Sequence, residues 1–208
     1  MFTCQLAFDC VFGPGCYSIV IGGTSSTTGA RQLEFGPGCY NISLKGGSNI
    51  TPIYDCAFGS GCYNITWNGN GSFGLVFGMR CNDITFNSAT NCVFGPQCAH
   101  MTFTSDTDRL VFGPNCLYIT SDVMLRDSVF APNCSRLNFT GRTWQYCTFG
   151  PSTRYVNFTC SAASGTCRFI DVKPGVNSTS TYKTITISES NQTHCTTIQP
   201  AGSTTIEV

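Results

Sequence analysis

The chain has 208 residues, 11 basic and 11 acidic side chains, and a formal net charge of zero. With only 11% charged residues, it lacks the clustered lysine and arginine that nucleic-acid phosphates require, which argues against such a partner. No apolar run reaches the roughly 18 residues of a membrane span, so no membrane partner is expected. The high counts of Gly (22), Phe (16) and Cys (15) are typical of strands and turns.

A repeat of 17 to 23 residues runs through most of the chain. Each copy is anchored by the phenylalanine of a Phe-Gly-Pro-like motif, and offsets below are counted from that anchor. The anchors are Phe12, Phe35, Phe58, Phe77, Phe94, Phe112, Phe130 and Phe149. Phe169 marks a degenerate ninth copy. Residues 1–4 already fall inside the pattern, which is consistent with a fragment of a longer protein.

Apolar residues and cysteines recur at fixed offsets in each copy. Offset −2 holds mostly Cys or Leu, and offsets +7 and +9 are mostly apolar. Residues two apart share one face of a strand, so −2 and 0 predict one short strand, and +7 and +9 predict another. Gly at +1 and Pro at +2 turn the corner between them. Offset +4 is cysteine in the first seven copies, namely Cys16, Cys39, Cys62, Cys81, Cys98, Cys116 and Cys134.

These offsets predict an all-β, single-chain β-solenoid of about eight turns. One copy cannot bury its own apolar residues, whereas stacked copies pile equivalent side chains into internal ladders. A strand spacing of about 4.8 Å predicts a rod on the order of 40 Å long. All length variation falls between +9 and the next −2, so that stretch is predicted to be a surface loop, longest at 22–32, 45–54 and 68–74. Triangular and flattened coils both fit, and a homotrimer of interwoven chains stays open.

The pattern divides the chain into a repeat domain, 1–169, and a C-terminal segment, 170–208. Residues 184–188 and 204–208 alternate in polarity like two strands. An open last turn would expose unpaired backbone and invite edge-to-edge aggregation. The segment is therefore predicted to be a small β cap or a docking element.

The cysteines are predicted to form a buried ladder of reduced thiols. Their number is odd and no C-x-x-C motif occurs, which suits neither a closed disulfide framework nor a zinc site. Stacked Cβ atoms would lie about 4.8 Å apart, too far for a relaxed disulfide. Disulfides between turns and metal binding are the disfavoured alternatives, and no metal or cofactor is expected. Cys195 is expected to be the most exposed thiol.

The sequence offers little catalytic chemistry. The two histidines, His100 and His194, are too few and too scattered for a nucleophilic triad. A polysaccharide depolymerase would need paired carboxylates, which Asp106 and Asp108 could supply, with Asp122, Arg109 and Arg126 nearby. A solvated loop is the favoured interpretation of this group, so the chain is predicted not to be an enzyme.

The outward strand positions carry the candidate binding residues. Offset +8 is mostly Ser, Thr or Asn, which stabilises stacked strands by a few tenths of a kcal/mol per pair. Offset +6 is irregular, which disfavours the paired threonine columns of an ice-binding surface. Amides and aromatics along a rod suit sugar contacts, so the candidate receptor-facing residues are Asn41, Asn64, Tyr118 and Tyr155. For the tyrosines at offset +5 in the first three copies, an aromatic ladder that packs across turns is favoured over sugar contacts.

Three segments carry a family resemblance: FGPGCYNI (35–42), FGSGCYNI (58–65) and FGPNCLYI (112–119). They resemble the FG-x-x-C repeats of virion proteins in tailed phages of gut Bacteroidota. The segment VKPGVNSTSTYKTITI (172–187) is similar to the stretch that closes such proteins. The resemblance spans 10–187, although the repeats of that family are tighter and more regular.

The resemblance implies a virion tail-fibre or tail-tip module without catalytic residues. Its implied partners are a host cell-surface glycan or protein and other virion proteins. A fold does not fix a function, so these remain expectations. The segment CAFGSGC (56–62) is also similar to the BspA-type leucine-rich repeats of bacterial surface proteins. A bacterial cell-surface adhesin is therefore the alternative function and location.

Overall fold

The computed structural model describes residues 1–22, 29–45, 53–69, 71–140, 144–160, 166–169, 176–180, 185–189, 192–198 and 204–206. This described part is all-β, without a helix, and forms a parallel β-solenoid. The eight anchor phenylalanines enclose seven complete turns. The parallel stacking of strands confirms the predicted all-β solenoid fold. Coils are numbered one to eight by their anchors. Among the described residues, no helix has the length and hydropathy needed to cross a membrane.

Each coil has three sides, and each side is a stack of parallel strands. Strands of side A cover offsets near −5: β2 (Leu6–Phe8), β5 (Gly29–Arg31), β8 (Ile53–Tyr54), β11 (Ser72–Phe73), β14 (Ala89–Thr90), β17 (Thr107–Asp108) and β20 (Leu125–Arg126). Strands of side B hold the anchors: β3 (Val11–Phe12), β6 (Glu34–Phe35), β9 (Ala57–Phe58), β12 (Val76–Phe77), β15 (Val93–Phe94), β18 (Val111–Phe112) and β21 (Val129–Phe130). In coil eight, β23 (Trp144–Phe149) spans both sides.

Side C is a stack of longer strands at offsets +5 to +9. They are β4 (Tyr17–Ile21), β7 (Tyr40–Lys45), β10 (Tyr63–Asn68), β13 (Asn82–Phe86), β16 (Ala99–Phe103), β19 (Leu117–Ser121), β22 (Ser135–Phe139) and β24 (Arg154–Cys160). The strand β1 (Phe2–Cys4) pairs in parallel with β4, so Phe2 faces Ile19 in register. Equal offsets pair along the whole stack, as in Ile65 with Ile84.

Six ladders of side chains fill the interior, at offsets −5, −2, 0, +4, +7 and +9. The anchor rings from Phe35 to Phe149 are buried, and consecutive rings stack with centroids 4.6–5.1 Å apart. Phe86 and Phe103 at offset +9 meet these rings edge-on across the core. The core is thus a column of aromatic and aliphatic layers, one layer per coil.

Three columns of residues with a left-handed backbone bend each coil. They lie at offsets −3, +3 and +6 in all eight coils, with φ between 46° and 71°. Each column stands directly before an inward ladder, at −2, +4 or +7. For a residue other than glycine this conformation costs about 1–2 kcal/mol. At −3 and +6 it is retained because the inward residues on either side lie three positions apart and would face opposite sides of an unbent strand. At +3 it turns the corner between the inward residues at 0 and +4.

The prediction of a surface loop from +9 to −2 was wrong in part. This stretch contains the side A strands, whose offset −5 residues, such as Ala30, Ile53 and Thr107, are buried. A strand of two or three residues has a single inward position, so it shows no alternation in the sequence. The rest of the loop in the first two coils, at 23–28 and 46–52, lies outside the described residues.

Further strands follow β24, the first at the end of the repeat domain and the others in the C-terminal segment. On side B, β25 (Thr166–Phe169) pairs in parallel with β23, so Phe169 lies over Phe149 in register. On side C, β26 (Val176–Ser180) pairs in parallel with β24, and β29 (Thr204–Ile206) then pairs antiparallel with β26. The strands β27 (Ile185–Glu189) and β28 (Gln192–Ile198) form an antiparallel hairpin. Parallel stacking thus gives way to antiparallel pairing. The side chain of Cys195, the thiol expected to be most exposed, lies outside the described residues.

Candidate functional site

The four candidate receptor-facing residues lie in one column on side C. Asn41 and Asn64 are exposed, Tyr118 is 40% exposed and Tyr155 is 57% exposed. All four occupy offset +6 and adopt a left-handed backbone, with φ from 51° to 55°. The outer column is defined here by this offset: Ser18, Asn41, Asn64, Asp83, His100, Tyr118, Arg136 and Tyr155.

The left-handed backbone explains why the outer column faces away from the core. Offsets +4 and +7 both point inward, so the bend at +6 restores the inward register after two outward residues. Asparagine and aspartate adopt this conformation several-fold more often than other non-glycine residues, and they occupy three of the eight positions. Tyrosine, arginine and histidine hold the same geometry in the later coils.

Neighbouring side chains of the outer column contact each other along the rod. The Nδ2 of Asn64 donates to the Oδ1 of Asn41 at 2.7 Å. The rings of His100 and Tyr118 stack at 4.6 Å, and the guanidinium of Arg136 lies 5.0 Å from the centre of the Tyr118 ring. These contacts restrict the side chains before any ligand arrives.

A second column, at offset +5, widens this surface in the first three coils. Tyr17, Tyr40 and Tyr63 stack with centroids 5.2 Å and 4.9 Å apart. The rings therefore pack across turns, as predicted from the sequence, and Tyr17 and Tyr63 also remain exposed. These tyrosines lie next to Asn41 and Asn64 on the same side of the rod.

The corner cysteines at offset +4 form a ladder of free thiols. From Cys39 to Cys134, each thiol donates to the carbonyl oxygen of the glycine at +1 in the preceding coil, at 3.2–3.5 Å. Cysteine thus satisfies a corner carbonyl while filling a small apolar space. Among the described residues, no group of three His, Cys, Asp or Glu could hold a metal ion.

Hydrogen bonds with Cys116 lower the pKa of Cys98 and of Cys134, but burial makes three other cysteines poor nucleophiles. Removal from water raises the pKa of Cys56 to about 11 and the pKa of Cys92 to about 12. Burial also raises the pKa of Cys39. Since the thiolate is the reactive form, these thiols are suited to packing rather than to covalent chemistry.

The carboxylates named from the sequence are divided between different environments. Asp106 borders an open pocket of about 460 Å³, lined also by polar residues such as Asn87 and Ser105, and its Oδ1 accepts from the backbone of Met124 at 3.2 Å. Asp108 does not line that pocket, and its Oδ2 lies 3.0 Å from the Nε of Arg109. Asp122 is exposed. His100, at offset +6, lies in the outer column.

Of the longest loops named from the sequence, 22–32 and 45–54 lie largely outside the described residues, whereas 68–74 is described except at residue 70. The described portions of 22–32, 45–54 and 68–74 are mainly side A strands and the residues next to them. No protein-family model, curated protein or solved structure matches the chain.

Proposed function

We propose that this chain is a non-enzymatic structural and adhesive module of a phage virion fibre, facing a host cell-surface glycan or protein. The observation that carries the proposal is the outer column, in which exposed amide, aromatic and charged side chains follow one another along a regular stack of strands. The resemblance of the FGPGC-type repeats to virion proteins supports the location. Other virion proteins would hold the ends of the rod.

The chemistry of the outer column suits a polyhydroxylated ligand. Amides and tyrosine hydroxyls can both donate and accept hydrogen bonds, and Arg136 provides a planar fork of donors. The stacking of His100 on Tyr118 and the bond between Asn41 and Asn64 limit side-chain motion in the free protein. Less conformational entropy is then lost on binding, which favours affinity.

Binding to host cells and to an array of surface glycans tests this proposal. Replacing Asn41 and Asn64 together by Ala, or Tyr118 and Tyr155 together by Ala, should weaken binding at least tenfold, because each pair removes two side chains of the column. Exposed side chains contribute little to the core, so both variants should retain the strand signal in circular dichroism.

The control variant replaces Thr85 and Thr102 by Ala, at offset +8 of the same side. It should bind like the wild type. Undiminished binding by both column variants would disprove the role of the outer column. Mass spectrometry of purified virions and of bacterial envelopes distinguishes the phage fibre from the bacterial adhesin.

A depolymerase is tested separately. The protein should release no new reducing ends or unsaturated sugars from host polysaccharide. Release that Asp106→Asn or Asp108→Asn abolishes would instead assign an enzymatic function to the chain.

A further inference from the structure

Side B carries an exposed apolar strip that the sequence analysis did not assign. Offset −1 is valine in coils four to seven, and each of these valines is 41–49% exposed although it lies in a strand. Offset +2 holds Met79, which is 47% exposed, and then proline in the next three coils. The valine–proline strip is defined by these residues: Val76, Val93, Val111, Val129, Met79, Pro96, Pro114 and Pro132.

The strip is a shallow groove with a backbone floor. Between its two walls lies offset +1, which is glycine in coils four to six and Ala131 in coil seven. A Cβ on Gly95 would come within 2.7 Å of the backbone of Gly78. The same two offsets in coils one to three enclose a groove of about 330 Å³ that runs from Val11 to Gly59. The concave surface therefore extends beyond the four coils of the strip, with Glu34 as a charged residue in its lining.

Charge is nearly absent from the strip and present at its borders. Glu34 is the one charged residue at offsets −1 and +2 in all eight coils, every one of which the structure describes. The flanking offsets −3 and +3 are mostly polar or charged, including Arg109, Asp127, Asn115 and Asn133. An apolar centre inside a polar rim is the usual anatomy of a protein–protein interface.

We propose that the valine–proline strip binds the same strip of a second copy of this chain, giving a dimer. The valines repeat once per coil, with the 4.6–5.1 Å period of the anchor rings. A second solenoid has the same period, so its side chains can contact equivalent side chains of the first at every coil along the groove. Because the strip is uncharged, bringing two copies together creates no repulsion between like charges.

The size of the face is sufficient for a stable pair. Eight coils at about 4.8 Å give a face about 40 Å long. From offset −3 to +3 it is about 20 Å wide at about 3.3 Å per residue. Pairing along all eight coils, with the strip as the apolar centre, therefore buries on the order of 800 Å² per copy, the standard size of a specific interface. Self-pairing of one patch also gives the two-fold symmetry that is commonest among homo-oligomers.

Light scattering coupled to gel filtration, over a range of protein concentrations, tests the pairing. The wild type should have twice the mass of one chain. A variant with Val93→Lys and Val111→Lys should have the mass of one chain, because four lysines would meet across the interface. Both valines point outward, so the variant should keep the circular dichroism spectrum and cooperative melting of a folded solenoid.

The matched control carries Thr102→Lys and Thr120→Lys, in the same two coils but on side C. It should remain dimeric. A monomeric or trimeric wild type would overturn the proposal, as would a valine variant that remains dimeric or a threonine variant that dissociates. Receptor binding is not part of this readout, so the outcome is independent of the proposed adhesive function.

Discussion

Replacing one central anchor ring should measure how much the aromatic ladder stabilises the rod. Phe94 is fully buried and stacks between Phe77 and Phe112, with centroids 5.1 Å and 4.9 Å away. It also meets Phe86 and Phe103 edge-on at 5.7 Å and 6.0 Å. A buried Phe→Ala change costs about 3–5 kcal/mol, and each lost aromatic pair adds to the cost of lost burial. Phe94→Ala should therefore lower the free energy of unfolding by about 4–5 kcal/mol.

The first anchor provides the internal comparison. Phe12 is only partly buried, and its described ring neighbours are Phe35 at 4.8 Å and Phe2 at 5.5 Å. Since burying a phenylalanine completely is worth about 1.5–3 kcal/mol, Phe12→Ala should cost about 1–2 kcal/mol.

Urea unfolding followed by circular dichroism and by tryptophan fluorescence gives both values. The stability of a solenoid is approximately the sum of the stabilities of its coils and of the interfaces between them. If Phe94→Ala uncouples the coils on either side, the unfolding midpoints measured by circular dichroism and by fluorescence should differ. Equal losses for Phe94→Ala and Phe12→Ala would refute the idea that stacked rings hold successive coils together.

Three further predictions concern buried polar groups. The hydroxyl of Ser121 is buried without a hydrogen-bond partner, so Ser121→Ala should raise the free energy of unfolding by about 1 kcal/mol in urea titrations, and a decrease would contradict this. The hydroxyl of Ser128 accepts from the backbone N–H of Leu110 at 3.1 Å, so Ser128→Ala should lower it by about 1–3 kcal/mol; no change would show that the bond is unimportant. Burial raises the pKa values of Cys56 and Cys92 to about 11 and 12, so the folded state holds these protons more tightly than the unfolded chain. Their contribution to stability is complete below the unfolded pKa of about 8.5–9 and is lost as the pH rises towards 11–12. Urea titrations in reductant at pH 8 and pH 10 should show this decrease, and Cys92→Leu should reduce it.

The ladders at offsets 0 and +4 could be predicted because their residue types recur. Phenylalanine and cysteine at fixed distances indicate stacking without any knowledge of the coil's shape. Offset −5 could not be found in this way, since its buried positions hold Ala, Ile, Ser, Thr and Leu in different coils. Because different side chains fill this position in different coils, no single residue type recurs there to reveal it.

The geometry of the outer column has a signal in the sequence, namely the spacing of the inward residues on either side of it. Inward residues at +4 and +7 are an odd number of positions apart, which an unbent strand cannot accommodate, so a bend between them follows from parity alone. The exposed valines of side B carried no comparable signal. Valine favours strands whether it is buried or exposed, so its facing becomes apparent only when the whole coil is known.

The thiol bonds at the corners also indicate which corner should open first when the rod is stretched. From coil two to coil seven, each corner cysteine attaches its coil to the one before it. In coil eight that position is Thr153, whose hydroxyl bonds to Gly150 of its own coil at 2.7 Å. Coils seven and eight are still joined by the Sγ of Cys147, which donates to the carbonyl oxygen of Leu125 in coil seven at 3.8 Å. Under tension along the axis, the corner of coil eight should therefore separate before the corners of coils two to seven, while the Cys147 bond still holds the same two coils together.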